Sequence, residues 1–330
     1  KGLEILSQKI AASASHDSEE RFAAPKCYPG TRASILEELE IWIKDRSQSS
    51  APFIFWLHGS AGVGKSAVAQ SICKKFSDSC LAASFFFARS DPIRNNLSLF
   101  CTTIAHQLAT SFALGPLLKD SIDNAIRHRR DIVHSSSLET QFQELIVKPC
   151  SQLSSEHWTN LPRLIVIDGL DECTDVKSQE RLLCILREAT TKSGLSFPFQ
   201  FLICSRPEPR IRSAFIHPNF YSVVDSAGIT EGREDIAMYL RDEFSNIRRD
   251  HGPAMAHVAE DWPGERIIQL LVKKACGQFV YARTILNYVG DFDYPERPAE
   301  RLETILNNTV PTNSHSPYSD LDLLYKQILS

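Results

Sequence analysis

The chain has 330 residues, of which 43% are hydrophobic, 23% charged and 9% aromatic; that is apolar material enough for two cores, and it excludes overall disorder. A formal charge of −4 supplies no basic field for nucleic acid or an anionic membrane, and no apolar run approaches the roughly 18 residues of a membrane span. The nine cysteines are odd in number, form no Cys-x-x-Cys pair and fall mostly in apolar runs, which points to reduced structural thiols and a cytoplasmic protein, not to a disulfide framework or a zinc site.

Residues 1–24 read as a lead-in helix or linker, and the start Lys-Gly-Leu-Glu suggests an excerpt of a larger protein. A helix is predicted over Ile35 to Ile43. A short buried strand follows at Phe53-Ile54-Phe55-Trp56-Leu57-His58, and the period turns helical from Lys65 to Phe76, with Val68, Ile72 and Phe76 on one stripe. Ala82 to Ala88 is the second strand, and two or three helices fill 95–149. The third strand, Leu164 to Ile167, ends in Asp168; a helix from about Ser178 to Glu188 and strands Phe199 to Cys204 and Phe220 to Val224 complete the series. Short buried strands alternating with helices define an α/β domain with a mostly parallel sheet and helices on both faces. From Asp235 onward only helical signals remain. The expected division is this α/β domain over 25–227, a small helical domain over 228–310 and the start of a further region over 311–330.

The string Gly59-Ser60-Ala61-Gly62-Val63-Gly64-Lys65-Ser66 is a complete G-x-x-x-x-G-K-S between a buried strand and an amphipathic helix. Chance would place such a string in about one chain of this size per hundred, and the strand-loop-helix setting lowers that further. Its glycines permit a tight loop whose amides face phosphate oxygens, and the helix that follows, from Lys65 through Ala67, adds unpaired amides and its positive end. Lys65 can reach the β- and γ-phosphates and Ser66 can enter a magnesium shell. Asp168, at a strand end, is the second candidate for the metal. Asp171 and Glu172 lie just beyond it, and either can polarise a water, Glu172 being the favoured base and Asp171 a magnesium-side partner; both could instead be ordinary helix-capping acids. Arg206, in Ser205-Arg206-Pro207, is placed to sense a γ-phosphate. Arg89, after Phe85-Phe86-Phe87-Ala88, has an open role.

These motifs, with Cys27-Tyr28-Pro29-Gly30-Thr31-Arg32, Trp56-Leu57-His58, Ser205-Arg206-Pro207-Glu208, Gly277-Gln278-Phe279-Val280-Tyr281-Ala282 and Leu321-Asp322-Leu323-Leu324-Tyr325, resemble the NACHT family of signal-transducing NTPases, within the class of switch ATPases that includes plant and animal immune receptors. The likeness is closest to the NACHT domains of large fungal proteins and covers residues 25–330. It implies an AAA-related P-loop sheet followed by a small helical domain, Arg206 as first sensor, Asp171 or Glu172 as the hydrolytic acid, and Thr31 and Arg32 near base and ribose. It further implies ATP (GTP being known in the family) with magnesium, slow hydrolysis that switches self-association in immunity or cell-death signalling, and flanking effector and sensor domains. A nucleotide-bound interaction scaffold with little or no turnover, and a GTP-preferring NTPase or P-loop kinase, are the competing readings. A small GTPase is disfavoured by the lack of Asn-Lys-x-Asp, and a nucleic-acid motor by the acidic balance.

Overall fold

The computed structural model describes residues 1–45, 52–191, 197–220, 223–229, 232–291, 293, 297–307, 322 and 324. Helix α1 (Gly2–Ser7) and two 3-10 turns (Ala12–Ala14 and Glu19–Arg21) precede α2 (Ala33–Lys44), β1 (Ile54–His58), α3 (Lys65–Phe76) and β2 (Leu81–Phe86). The stretch predicted as two or three helices holds α4 (Phe100–Thr110), α5 (Gly115–His128), α6 (Leu138–Phe142) and α7 (Lys148–Ser151), the last two joined by a π-turn at Gln143–Val147. Then come β3 (Leu164–Asp168), α8 (Val176–Thr191), β4 (Gln200–Ser205), α9 (Pro209–Phe215) and β5 (Val224–Gly228), followed by α10 (Arg233–Asp250), α11 (Glu265–Ala275), α12 (Phe279–Val289) and α13 (Pro298–Asn307). Two compact units divide the chain: Lys1–Lys26, Ser34–Gly59 and Lys65–Gly228 form the first, and Cys27–Ala33, Ser60–Gly64 and Ile229–Ser330 the second.

In the first unit five parallel strands run in the order β2-β3-β4-β1-β5. The apolar runs of β1 to β4 are buried almost throughout, as a sheet covered on both faces requires. Period-two alternation sorts them. Ile54, Trp56, Phe85, Ile165, Ile167, Phe201 and Ile203 share a core with α4, α5, α8 and α9. The alternate residues face α2 and α3: the Trp42 ring meets Phe55 at 5.4 Å, and α3 packs on β2, β3 and β4. The sequence-predicted fold class is therefore the observed one.

One strand lies elsewhere than expected. Phe220 ends a 3-10 turn, Pro218–Phe220, and the strand begins four residues later at Val224. Phe220 is buried through that turn, so its apolarity marks the core and not a strand, whereas β5 is an edge strand carrying Asp225 and Ser226. The lead-in, for its part, is packed: Leu6, Ala11 and Ala14 are fully buried in the first unit's core. No disulfide is present among the described residues, and none of their helices is long and apolar enough to cross a membrane.

In the second unit Ile236, Leu240, Phe244 and Ile247 form one stripe of α10, which packs with Leu271, Ile285, Leu302 and Leu324. Of the expected region 311–330, only Asp322 and Leu324 lie within the described residues.

Candidate functional site

In the first unit the ladder registers bring His58, Ser205, Asp168 and Phe86 to one edge of the sheet: His58 stands opposite Ser205, Cys204 opposite Asp168, and Asp168 opposite Phe86. The chain leaves β1 through α3 on one face and leaves β4 through α9 on the other, where Phe215 stacks on Trp56 at 4.4 Å. Neighbouring strands whose connections part to opposite faces open a crevice at their carboxyl ends, the usual ligand seat of an open α/β sheet. Lys65 and Ser66 begin α3 at this crevice, and the Trp56 indole fixes its floor by donating to Ser205 Oγ at 2.9 Å.

Lys65 is half-buried and its Nζ donates to the Gly59 carbonyl at 2.8 Å. Burial lowers its pKa, while the charges of Asp171 and Asp168 oppose that. Asp168 is 4% exposed. It accepts a hydrogen bond from the Ser66 hydroxyl, yet burial still pushes its pKa up to about 6; the hydrogen bond, Arg21 and Lys65 pull the other way and Glu172 adds to the rise. Its Oδ1 is buried with no partner among the described residues.

Asp171 and Glu172 form the 3-10 turn Leu170–Glu172 and have different surroundings. Asp171 is 3% exposed; its Oδ1 accepts the Arg206 amide at 2.9 Å, and its Oδ2 pairs with the Arg206 Nε at 3.1 Å. Glu172 is only half-buried, and its Oε2 accepts the Arg89 amide at 3.1 Å. Arg89 also reaches back, Nη2 to the Asp171 carbonyl at 3.0 Å. The guanidinium at the end of the phenylalanine run thus holds the acidic turn, a contact that sequence left open.

In the second unit, loop residues 60–64 meet Arg32 and α12, and segment 27–33 meets α10. Gly62 and Gly64 have φ of 75° and 103°, conformations open to glycine. A Cβ on Gly62 would stand 2.6 Å from the Val280 side chain, and the Gly62 carbonyl accepts the Val280 amide at 3.4 Å. Thr31 and Arg32 are both buried. The Thr31 hydroxyl donates to the Tyr28 carbonyl at 2.7 Å. Arg32 donates from Nη2 to the Val63 carbonyl at 2.7 Å and from its amide to Asp235 at 3.1 Å, with Phe279 under its guanidinium at 5.0 Å.

Each unit adds one residue outside the sequence-predicted set. Asp235 holds Arg32, and Arg21 of the lead-in reaches α3 by donating from Nη2 to Gln70 Oε1 at 3.1 Å. Neither gives a local signal: Asp235 sits in an ordinary polar helix start, and Arg21 lies among charged residues.

Residues 30–206, more than half of the chain, match the family model described as Nephrocystin 3, N-terminal. A search of curated proteins finds no match. Among solved structures, domain III of the replication initiation protein DnaA of Thermotoga maritima is similar at 13% identity and a TM-score of 0.38, over 92% of this chain and 94% of that one.

Proposed function

The chain belongs to the Nephrocystin 3 N-terminal family, and from that premise we propose that it binds a nucleoside triphosphate, ATP, with magnesium and hydrolyses it slowly as a NACHT-type switch. The observation that carries this reading is the buried Asp168 carboxylate, hydrogen-bonded to Ser66 beside Lys65, with one oxygen lacking a hydrogen-bond partner among the described residues. A native fold leaves a buried carboxylate oxygen orphaned rarely, and the usual reason is a ligand, ion or water that completes it. Among the described residues no group of three His, Cys, Asp or Glu side chains could hold a metal by itself, so Ser66 and Asp168 would share a cation with the phosphate oxygens, as hard oxygen donors suited to magnesium. When bound, that ion supplies charge neutralisation at the phosphates.

The residues then divide the work. The amides of Gly59 to Ala67 and the Lys65 ammonium bind the polyphosphate. Arg32 supports binding by fixing the Val63 carbonyl, and Thr31 by closing the turn from Tyr28 that carries Arg32, so that the loop keeps its shape. Glu172 is the base: its carboxylate is the more open of the two acids and can accept the proton of an attacking water. Asp171 is committed to Arg206 and acts by aiming that guanidinium at the γ-phosphate. Nucleotide exchange and turnover would govern self-association, with effector and sensor domains elsewhere in the full protein.

The test is direct. With ATP and magnesium the purified protein should release phosphate; Glu172→Gln should lower the rate by about 100-fold or more while nucleotide stays bound, and Lys65→Ala should weaken nucleotide retention by about 100-fold. Unchanged retention in Lys65→Ala removes the phosphate-loop reading, and unchanged turnover in Glu172→Gln removes the base.

A further inference from the structure

Asp168 Oδ1 has a counterpart of opposite charge. Arg21 Nε is also buried and without a hydrogen-bond partner among the described residues. Arg21 comes from the turn Glu19–Arg21, distant in sequence from either site motif. Its guanidinium carbon lies 3.7 Å from the centroid of the Phe86 ring, and its Nη2 is bonded to Gln70. Phe86 stands opposite Asp168 in the β2–β3 ladder, and Gln70 lies one helical turn beyond Ser66 on α3. The two anchors of Arg21 therefore flank the Ser66–Asp168 hydrogen bond. The segment is tied down further: Gln70 Nε2 donates to the His16 carbonyl at 2.7 Å, and the His16 amide donates to Ser84 Oγ at 3.0 Å. In keeping with this placement, the Asp168 charge opposes the lowering that burial imposes on the Arg21 pKa.

We propose that Arg21 is the resident counter-ion of Asp168 in the metal-free protein, and that a divalent cation arriving with nucleotide displaces it, releasing segment 12–22 from α3 and β2. The inference rests on Asp168 being a cation ligand. A guanidinium and a dication competing for one buried carboxylate repel each other in a medium of low effective dielectric. Linkage makes the competition reciprocal: if the cation weakens the hold of Arg21, removal of Arg21 tightens the cation. Release stops short of α1, which has its own anchors: the Leu3 amide donates to Asp123 Oδ1 and the Ala11 amide to Thr103 Oγ1, each at 2.9 Å. The segment between Ala11 and Lys26 would thus report occupancy of the site to the surface of the protein.

Hydrogen exchange on the full chain tests this with ATP in EDTA against ATP with magnesium. Magnesium should raise exchange in 12–22 and leave α1 unchanged. In parallel, binding of a fluorescent ATP analogue is titrated with magnesium for the parent, Arg21→Gln and Arg21→Lys. Arg21→Gln should lower the half-saturating magnesium concentration about fivefold and abolish the magnesium-dependent exchange, while Arg21→Lys, which keeps the charge, should stay near the parent. A purely structural arginine would instead weaken analogue binding equally with and without metal and leave the midpoint in place, and that result overturns the proposal. So does exchange in 12–22 that ignores magnesium in the unsubstituted chain, a measurement that needs no variant to fold. Where the parent binds ATP and either result appears, this inference alone falls; a parent that retains no nucleotide overturns the functional reading beneath it as well.

Discussion

The end of β3 and the turn behind it each bury one aspartate, three residues apart, at 4% exposure for Asp168 and 3% for Asp171. Asp171 is fully answered: an amide and a guanidinium nitrogen of Arg206 occupy its two oxygens. Asp168 has a serine hydroxyl on the carboxylate, more distant cationic charges, and an oxygen without a partner among the described residues. Burial of a charge is costly unless it is paired and hydrogen-bonded, so the same depth makes one residue a structural tie and leaves the other with a strained carboxylate. That contrast, more than the motif letters, separates the tie at Asp171 from the proposed cation ligand at Asp168.

Substitution at each position should show opposite signs. Asp171→Ala strips the acceptor from the Arg206 amide and breaks a pair in which Asp171 is buried and Arg206 is half out in solvent; the expected loss is about 2–4 kcal/mol of unfolding free energy. Urea denaturation checks it, and a loss within error of zero would mean that Asp171 is no tie. Asp168→Asn should do the reverse in metal-free buffer. The folded pKa of Asp168 stands at about 6 against a reference of 3.8, so the native state holds this proton more tightly than the unfolded chain. Its stabilising share is complete below about pH 4 and is lost as pH rises through about 6. At pH 7.5 the asparagine variant should therefore be more stable by about 1–3 kcal/mol, with a flatter stability profile between pH 4 and 7; a variant less stable than the parent in EDTA would sink the idea of a strained carboxylate. The smallest effect belongs to a pair with neither burial nor a site. Arg181 and Glu139 form a two-pronged ion pair at 45% and 51% exposure, and Arg181→Ala should cost about 0.5 kcal/mol. A loss as large as that of Asp171→Ala would show that depth is not what ranks these acids.

Short-range signals account for what was readable beforehand. A buried strand, a glycine-spaced loop and a helical stripe follow one another between Phe53 and Phe76, and four β-formers lead into Asp168; each pattern needs only its own neighbours. Where the determinants are distant, sequence was silent. The lead-in is anchored by the Ala11 amide on Thr103 and the Leu3 amide on Asp123, contacts across about a hundred positions that leave no periodicity behind. Arg21 looks like any solvated charge until Phe86 and Gln70 are brought to it. Arg32 has φ of 56°, a conformation that sequence does not announce for a non-glycine residue. The different surroundings of the two acids of the turn were equally invisible, because Arg206 and Arg89, which follow different strands, create them.

The place of β4 between β1 and β3 has a consequence for its one thiol. Adjacent strands stand about 4.8 Å apart, so the strand that launches α3 and the strand that ends in Asp168 are separated by about twice that width, and α3 must ride over β4 for Ser66 to meet the acid. Cys204 lies opposite Asp168 in the ladder, fully buried, and alternation with Ile203 turns its side chain toward the helix. Burial drives its pKa well above the ordinary thiol value, which makes it a poor nucleophile. Its contribution is thickness: a slim shim under the first turn of a helix, setting the height at which a hydroxyl can bridge two strands to a carboxylate.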